Sequence, residues 1–359
     1  MGAPGDRCRL GGRAGSLILA DTPIDVIHLQ RQPLPGFHSI ERMFKDVRDH
    51  LEGSELKVQV RINQFASRGL LPRIRDAWAA RRAQAAVNHV TGDVHYLAWW
   101  LDPQRTILTV HDCVGLSRLQ GWRRSLFKYL WYTLPLRRSR HITVVSEFTR
   151  SELLAETHCD PARVSVIHPH LSEEFQRVDR AFATGRVRVL QMGTAPNKNI
   201  ERLAQALVGL EVELIVVGHL NASQRSALVE AGVHLQEKTG LSRAQILEEY
   251  VNADVLAFVS TYEGFGLPII EAQAVGRVVV TSTMCSMPDV AGTAACLVDP
   301  FDSASIRRGL CKVISDEKYR HALIDKGFKN VERFRLAAIA EQYAKLYRSV
   351  ATQSVASTI

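Results

Sequence analysis

The stretch from Ser260 to Gly276, STYEGFGLPIIEAQAVG, leaves little choice of local structure. The apolar run before it, Val255 to Val259, reads as a buried strand. Gly264 and Gly266 then make a tight turn, and Pro268 stands where a helix opens onto further apolar residues. The expected order is strand, tight loop, helix start. Glycines at these positions let the main chain approach a ligand closely, and the unpaired amides at a helix start point where an anion would sit. Glu263 lies in the loop and Glu271 in the first turns of the helix, so two carboxylates are expected to face one small space. Taken singly, Glu263 also fits a turn residue, and Glu271 a complement to the helix dipole.

The same alternation fills the chain in two units. In the first, Ile24 to Gln30, Leu56 to Ile62, a brief segment from Val87, Thr106 to His111, Ile142 to Ser146 and Val164 to Ile167 read as strands. Helices are expected over Ile40 to Leu51, with Ser39 as cap, over Leu71 to Ala86 and over Glu147 to Thr157. The loop Gln32 to Phe37 follows the first strand and so opens onto the crevice where parallel sheets bind ligands, which makes Arg31, His38 and Ser39 candidates for ligand contact. In Val87 to Tyr96 (VNHVTGDVHY) a Gly turn leads to a helix capped by Asp93, with a ligand contact by Asp93 as the other reading. His89 and His95 lie across a loop with no fixed third partner, a poor metal spacing. His111-Asp112 ends a buried strand at its carboxyl end; His111 reads either as a residue facing the crevice or as a hydrogen-bonded core imidazole.

Pro169 to Gly185 has no clear period and marks a linker. Beyond it Val187 to Met192, Val212 to Val217, Val233 to Gln236, Val255 to Val259, Arg277 to Thr281 and Ala294 to Pro300 are expected strands, and 286–292 a loop. Helices are expected over Leu241 to Val251, capped by Ser242, and over Asp302 to Ser315, Glu317 to Arg333 and Leu336 to Val350. The first turn of this unit, Gly193-Thr194-Ala195-Pro196-Asn197-Lys198-Asn199, sets a Gly at the bend and a Lys at a helix start. That is a phosphate-cradling arrangement, although its spacing is not that of a P-loop. The pattern predicts an α/β protein of two Rossmann-like, doubly wound domains facing across a cleft: 1–170, a linker at 171–185, and 186–334.

At 359 residues, 46% hydrophobic and 23% charged, the chain suits two soluble domains of ordinary size. No window approaches the ~18 to 20 apolar residues of a membrane span, and the patch Leu17 to Ala20 is too short for a secretory signal. Six cysteines without a C-x-x-C pair fit a reducing, cytoplasmic compartment and no structural zinc. The net charge of +8 belongs wholly to the first half, where 24 Lys and Arg face 16 Asp and Glu up to residue 170; beyond it the counts are 21 and 21. A basic half points to an anionic partner or to an Arg-rich solvated face. Gly121 to His141 (GWRRSLFKYLWYTLPLRRSRH) is basic and aromatic together, which suits a membrane interface, while an aromatic stripe at helical spacing also suits a core.

The string EGFGLPIIEAQAVG, Glu263 to Gly276, resembles the Glu-x7-Glu element of retaining, nucleotide-sugar-dependent glycosyltransferases of family 4 (group 1), in its fuller form EGFGxPxxEAxAxG. The strings HxTGDxHY, from His89 to Tyr96, and TxHD, from Thr109 to Asp112, look like those of a bacterial, mannosyltransferase-like subgroup. The resemblance implies a GT-B fold whose terminal helix, within 335–359, crosses back onto the first domain. It implies that Glu263 contacts the donor sugar, that Glu271 contacts the nucleotide ribose and that Lys198 serves the diphosphate. Thr194 stands where many members carry Arg, which leaves a second positive charge unassigned. The donor-side candidates are Gly193, Thr194, Asn197, Lys198, Glu263, Gly264, Phe265, Gly266, Leu267 and Glu271. Those on the acceptor side are Arg31, His38, Ser39, Asp93, His111 and Asp112, with His111, Lys198 and Glu263 as catalytic candidates.

The expected reaction is transfer of a sugar, with retention, from a nucleoside diphosphate sugar to a saccharide or lipid-linked acceptor in surface polysaccharide or glycolipid synthesis. The basic first half would contact an anionic membrane at its inner face. No D-x-D motif is present, so no metal or other cofactor is required, and the nucleotide-sugar is a co-substrate. A sugar-nucleotide epimerase or hydrolase on the same scaffold is the rival enzyme. A basic nucleic-acid-binding protein would leave the Glu pair idle, and a dinucleotide oxidoreductase lacks its G-x-G-x-x-G after any strand.

Overall fold

The computed structural model of the protein describes residues 23–32, 39–65 and 69–356. His38, the loop 33–38 and Arg68 lie outside the described residues, as does the patch at Leu17 to Ala20. Two six-stranded sheets, parallel throughout, organise the rest. The first holds β1 (Ile24–Gln30), β2 (Leu56–Ile62), β3 (Val87–Val90), β4 (Thr106–Val110), β5 (His141–Val144) and β6 (Val164–Val166). The second holds β7 (Val187–Met192), β8 (Val212–Val217), β9 (His234–Lys238), β10 (Val255–Phe258), β11 (Val278–Ser282) and β12 (Cys296–Val298).

Every residue of β4, β10 and β11 is buried, as expected for central strands covered by helices on both faces. The strand order is β2-β1-β3-β4-β5-β6 in the first sheet and β12-β11-β10-β7-β8-β9 in the second. Each order reverses once, between β1 and β3 and between β7 and β10. Loops that leave the carboxyl ends of adjacent strands at such a reversal diverge to opposite faces and open a crevice between them. Gly193 to Asn199 follows β7 and Thr261 to Gly266 follows β10, so strand order alone brings these two loops together.

Local geometry departs from the sequence reading at four places. The helix Leu70–Arg82 stops four residues short of Ala86. Asp93 caps nothing: the 3-10 turn His95–Trp100 begins at Val94 with no side-chain cap, and the Asp93 carboxylate instead accepts the Trp131 indole N–H at 2.9 Å. The segment read as a loop at 286–292 contains the short helix Met287–Ala291, with Pro288 in its first turn where no amide is needed. The aromatic segment is neither wholly core nor wholly surface. Trp131 and Phe127 stack in the first core, whereas Trp122, Leu126 and Tyr129 stand 71%, 49% and 48% exposed. Its helix widens into a π turn at Tyr129–Thr133, just ahead of Pro135, which has no amide to donate backward.

The terminal helix Leu336–Ala356 packs on the first sheet, not the second. Its Ile339, Ala340, Tyr343, Ala344, Tyr347 and Val350 share one core with Val26, Phe44, Val47, Val87 and Ile107. A polar chain runs through that core. Arg48 can only donate, so its Nη1 at 3.2 Å makes His28 Nδ1 an acceptor, and His28 Nε2–H must donate to Tyr347 Oη at 2.8 Å. The Tyr347 hydroxyl then donates to His89 Nδ1 at 2.8 Å, and His89 Nε2–H to Thr109 Oγ1 at 2.7 Å. Burial holds both imidazoles neutral, His28 well below the usual histidine range and His89 at about 3.

Candidate functional site

The crevice of the second lobe is built from its two switch-point loops. Gly193 sits at φ +82°, and a Cβ there would come within 3.1 Å of Lys198 Cε, so the lysine stem folds back across the glycine. Pro196–Lys198 makes one 3-10 turn and ends on Asn199 in the left-handed region at φ 60°. The buried Asn199 amide donates to Val259 O (3.0 Å) and Pro300 O (2.7 Å), fixing this loop to the end of β10. From that base Lys198 Nζ reaches Glu263 Oε1 at 2.7 Å, and Asn197 Nδ2 reaches the same oxygen at 3.1 Å and Tyr262 O at 2.8 Å. The ammonium also lies 4.5 Å from the Phe258 ring centroid. Lys198 and Glu263 are thus held as one pair, with side chains 17% and 15% exposed.

The glycine loop is pinned from both sides. Ser286 Oγ lies 2.9 Å from Glu263 O and 2.7 Å from Phe265 O. From the first lobe, Ser146 Oγ (2.7 Å) and Thr149 Oγ1 (3.2 Å) approach Gly264 O; Ser146 is also the cap of the helix Glu147–Thr157. Tyr262 donates its hydroxyl to Glu152 Oε2 at 2.7 Å and accepts the Cys113 amide at 3.2 Å. A Cβ on Gly264 would lie 2.3 Å from His111 O, so only a glycine lets the lobes meet here. Among the described residues, the backbone amides of Gly264, Phe265 and Gly266 donate to no acceptor, and they precede the helix Leu267–Ala274. The chemistry on offer is an ammonium, a carboxylate and free amides around one small volume.

The other donor-side candidates fall into place unevenly. Glu271 is buried in a set of its own, accepting the Tyr250 hydroxyl at 2.7 Å and Arg243 Nη1 at 3.3 Å. Burial pushes its carboxyl up, against the pull of Arg243. No hydrogen bond among the described residues joins this set to the Lys198–Glu263 pair. The Phe265 ring packs in the core against His168 and Phe334, so only its main chain is available to a ligand. Thr194 packs under Gly218, with its carbonyl held by Gln224. Gly266 caps the helix at φ 109°, and Leu267 is half-buried.

In the first lobe, His111 lies 2.8 Å from Thr91 O through Nε2, which places the ring proton there and leaves Nδ1 as an acceptor; burial lowers its pKa. Asp112 accepts the Val114 amide at 3.0 Å, and burial raises its carboxyl. Arg31 is spent on Glu41 at 2.7 Å, and Ser39 opens the first helix.

Several residues that build the site carried no signal in the sequence. Ser146, Ser286 and Tyr262 act through partners far along the chain, and Arg243 follows an ordinary helix cap. Asn199 alone offered a hint, because an Asn just before a helix tolerates the left-handed backbone found here.

The chain matches the family model described as "Glycosyl transferases group 1" over residues 172–330 and that described as "Glycosyltransferase Family 4" over 54–174. It is 27% identical over 309 residues to O-antigen chain mannosyltransferase B of Escherichia coli, covering 79% of each chain. It is 25% identical over 265 residues to the MMP alpha-(1->4)-mannosyltransferase of Mycolicibacterium hassiacum, covering 67% of this chain and 64% of that one. Among solved structures, Anabaena HepE in complex with UDP and glucose superposes with a TM-score of 0.73 at 16% identity, over 91% of this chain and all of the other. Two doubly wound lobes meeting at paired switch points define the GT-B class of fold. Within that class the chain belongs to the family 4, group 1 glycosyltransferases and is a nucleotide-sugar-type transferase, similar to bacterial mannosyltransferases.

Proposed function

We propose that this transferase moves a sugar, with retention of its anomeric configuration, from a nucleoside diphosphate to a saccharide or lipid-linked acceptor in surface polysaccharide or glycolipid synthesis. Mannose is the first sugar to test, since the relatives above are named for it. The observation that carries the reading is the Lys198–Glu263 pair, 2.7 Å apart at the second lobe's switch point beside amides with no partner among the described residues.

Breaking the bond between the anomeric carbon and phosphate oxygen leaves negative charge on the diphosphate. Lys198, the amides of Gly264 to Gly266 and the start of the helix at Leu267 supply the opposing field. Glu263 orients the sugar through the oxygen that Lys198 and Asn197 hold, and Glu271 receives the ribose hydroxyls beside Tyr250. His111 presents Nδ1 from the other lobe. No carboxylate nucleophile is assigned in the first lobe; a leaving diphosphate oxygen takes the acceptor's proton, and the new bond forms on the face the diphosphate leaves. In this reading no metal takes part.

The acceptor comes from a membrane face. The exposed Trp122, Leu126 and Tyr129 beside Arg123 suit an interface between water and lipid. Among the described residues, no helix is long and apolar enough to cross a membrane.

Thermal-shift screening against UDP-, GDP-, ADP- and TDP-sugars names the donor, and transfer assays follow. Lys198→Ala and Glu271→Ala are each expected to lower turnover by about 2–4 kcal/mol of transition-state stabilisation while the protein stays folded. Near-normal transfer in both overturns the site assignment, and donor turnover that ignores added acceptor points to the epimerase or hydrolase.

A further inference from the structure

The first half carries the chain's whole excess of positive charge, and at the crevice its Arg31 is paired with Glu41. Part of it gathers at the opposite pole of the same sheet. A cavity of about 650 Å³ opens at the amino ends of β4, β5 and β6, closed on one side by the terminal helix. Arg137, Arg140 and Arg163 line it.

None of the three has a carboxylate partner among the described residues. Arg163 is held by the neutral carbonyls of Leu136 and Ser139. Arg140 is held by the amide oxygens of Gln353, at 2.6 Å and 3.2 Å, and Gln104, at 3.3 Å. Arg137 is exposed, with no partner among the described residues. Asp160 also lines the cavity, but it is exposed and its Oδ1 accepts the Ala162 amide at 2.9 Å. Solvated arginines on an ordinary surface spread apart; these are drawn together by acceptors that leave their charge standing. The imidazole of His141, at the same cavity wall, is pushed down by burial and by Arg163 and Arg140.

From this geometry we infer a second binding site, separate from the crevice, that takes the phosphate group of a phosphorylated ligand through Arg137, Arg140 and Arg163. Guanidinium groups match phosphate oxygens with paired, charge-assisted hydrogen bonds, and the volume exceeds that of a bare phosphate. A soluble sugar phosphate and the headgroup of an anionic lipid present the same chemistry. The site lies at the far end of the strands from the donor loops, so its occupation does not depend on the transfer reaction proposed above.

The test uses the full chain carrying Lys198→Ala, which removes the ammonium from the crevice. Calorimetric titration with inorganic pyrophosphate is expected to show binding, and adding Arg137→Ala with Arg140→Ala to weaken it about tenfold or more. Adding Arg75→Ala with Arg81→Ala, an equal loss of exposed charge elsewhere in the lobe, is expected to leave it unchanged. Two further arms separate the sources: glucose 1-phosphate for a soluble ligand, and vesicles of phosphatidylcholine and phosphatidylglycerol in equal parts for a headgroup. Should the double variant fail to fold, Arg137→Glu carries the same comparison. Equal binding by the Arg137/Arg140 variant and its parent in every arm overturns the site, as does equal weakening by the control pair.

Discussion

A single atom decides how the two lobes meet. With a methyl group at residue 264 the nearest neighbour would be the main-chain oxygen of His111 at 2.3 Å, and a main-chain oxygen cannot rotate aside as a side chain can. Gly264→Ala is therefore expected to force the glycine loop off the first lobe. The contacts of Ser146 and Thr149 to Gly264 O are lost together, and the Lys198–Glu263 pair moves away from His111. Displacement of reacting groups by about 1 Å costs on the order of a hundredfold in rate, so turnover is expected to fall by that much. The melting temperature is expected to change little, because each lobe keeps its own core. Steady-state rates beside a thermal melt check this, and full activity in the alanine variant sinks the idea that this contact sets the site. Gly264 was legible in the sequence as a place of close approach, but the partner was not. The chain shows that something must come near the glycine, and only the fold shows that it is the end of β4.

At the scale of elements, periodicity gave most of the strands and helices close to their observed limits, because a parallel sheet covered on both faces demands apolar runs that stand out from their surroundings. What a single side chain does was misread or left unread where its partner is distant in sequence. Asp93 has the form of a helix cap, yet its carboxylate is taken by Trp131, 38 residues away. Glu271 stands in the helix where spacing put it, but its partners, Tyr250 and Arg243 from another helix, could not be read from the sequence. The terminal helix shows the same limit: its apolar face was plain, but not the histidines waiting for its tyrosine. Tyr347→Phe removes the hydroxyl that accepts a hydrogen bond from His28 and donates one to His89, leaving two buried imidazole nitrogens unsatisfied. Each costs about 1–3 kcal/mol, so a loss of about 2–6 kcal/mol is expected in urea unfolding of the first lobe. A loss under about 0.5 kcal/mol, the range of an ordinary surface change, would show that the chain of hydrogen bonds does not hold the helix in place.

For the whole molecule, acid should act on the two lobes unequally. His28, His89, His95, His111 and His141 all belong to the first lobe, and desolvation is the largest cause lowering each pKa. A histidine whose folded pKa is depressed takes up its proton in the unfolded chain first. Its contribution to stability is complete above pH ~6.5 and is lost as pH falls from there toward the folded value, about 3 for His89. Each fully buried imidazole removes up to ~1.4 kcal/mol per pH unit within that window. The raised carboxyls act in the opposite sense, since the folded state then holds protons that the unfolded state has released. Asp46, Asp76, Asp112 and Glu152 provide this partial offset in the first lobe, toward the acid end of the range, and Glu271 favours the second lobe as pH falls. Between pH 7 and 5, then, calorimetry is expected to show the first lobe's transition moving to lower temperature and separating from the second. Added salt should restore little of the loss, because its main cause is burial and not a pair of screened charges. If both transitions fall together, or if the shift disappears in high salt, the histidines of the first lobe are not the groups responsible.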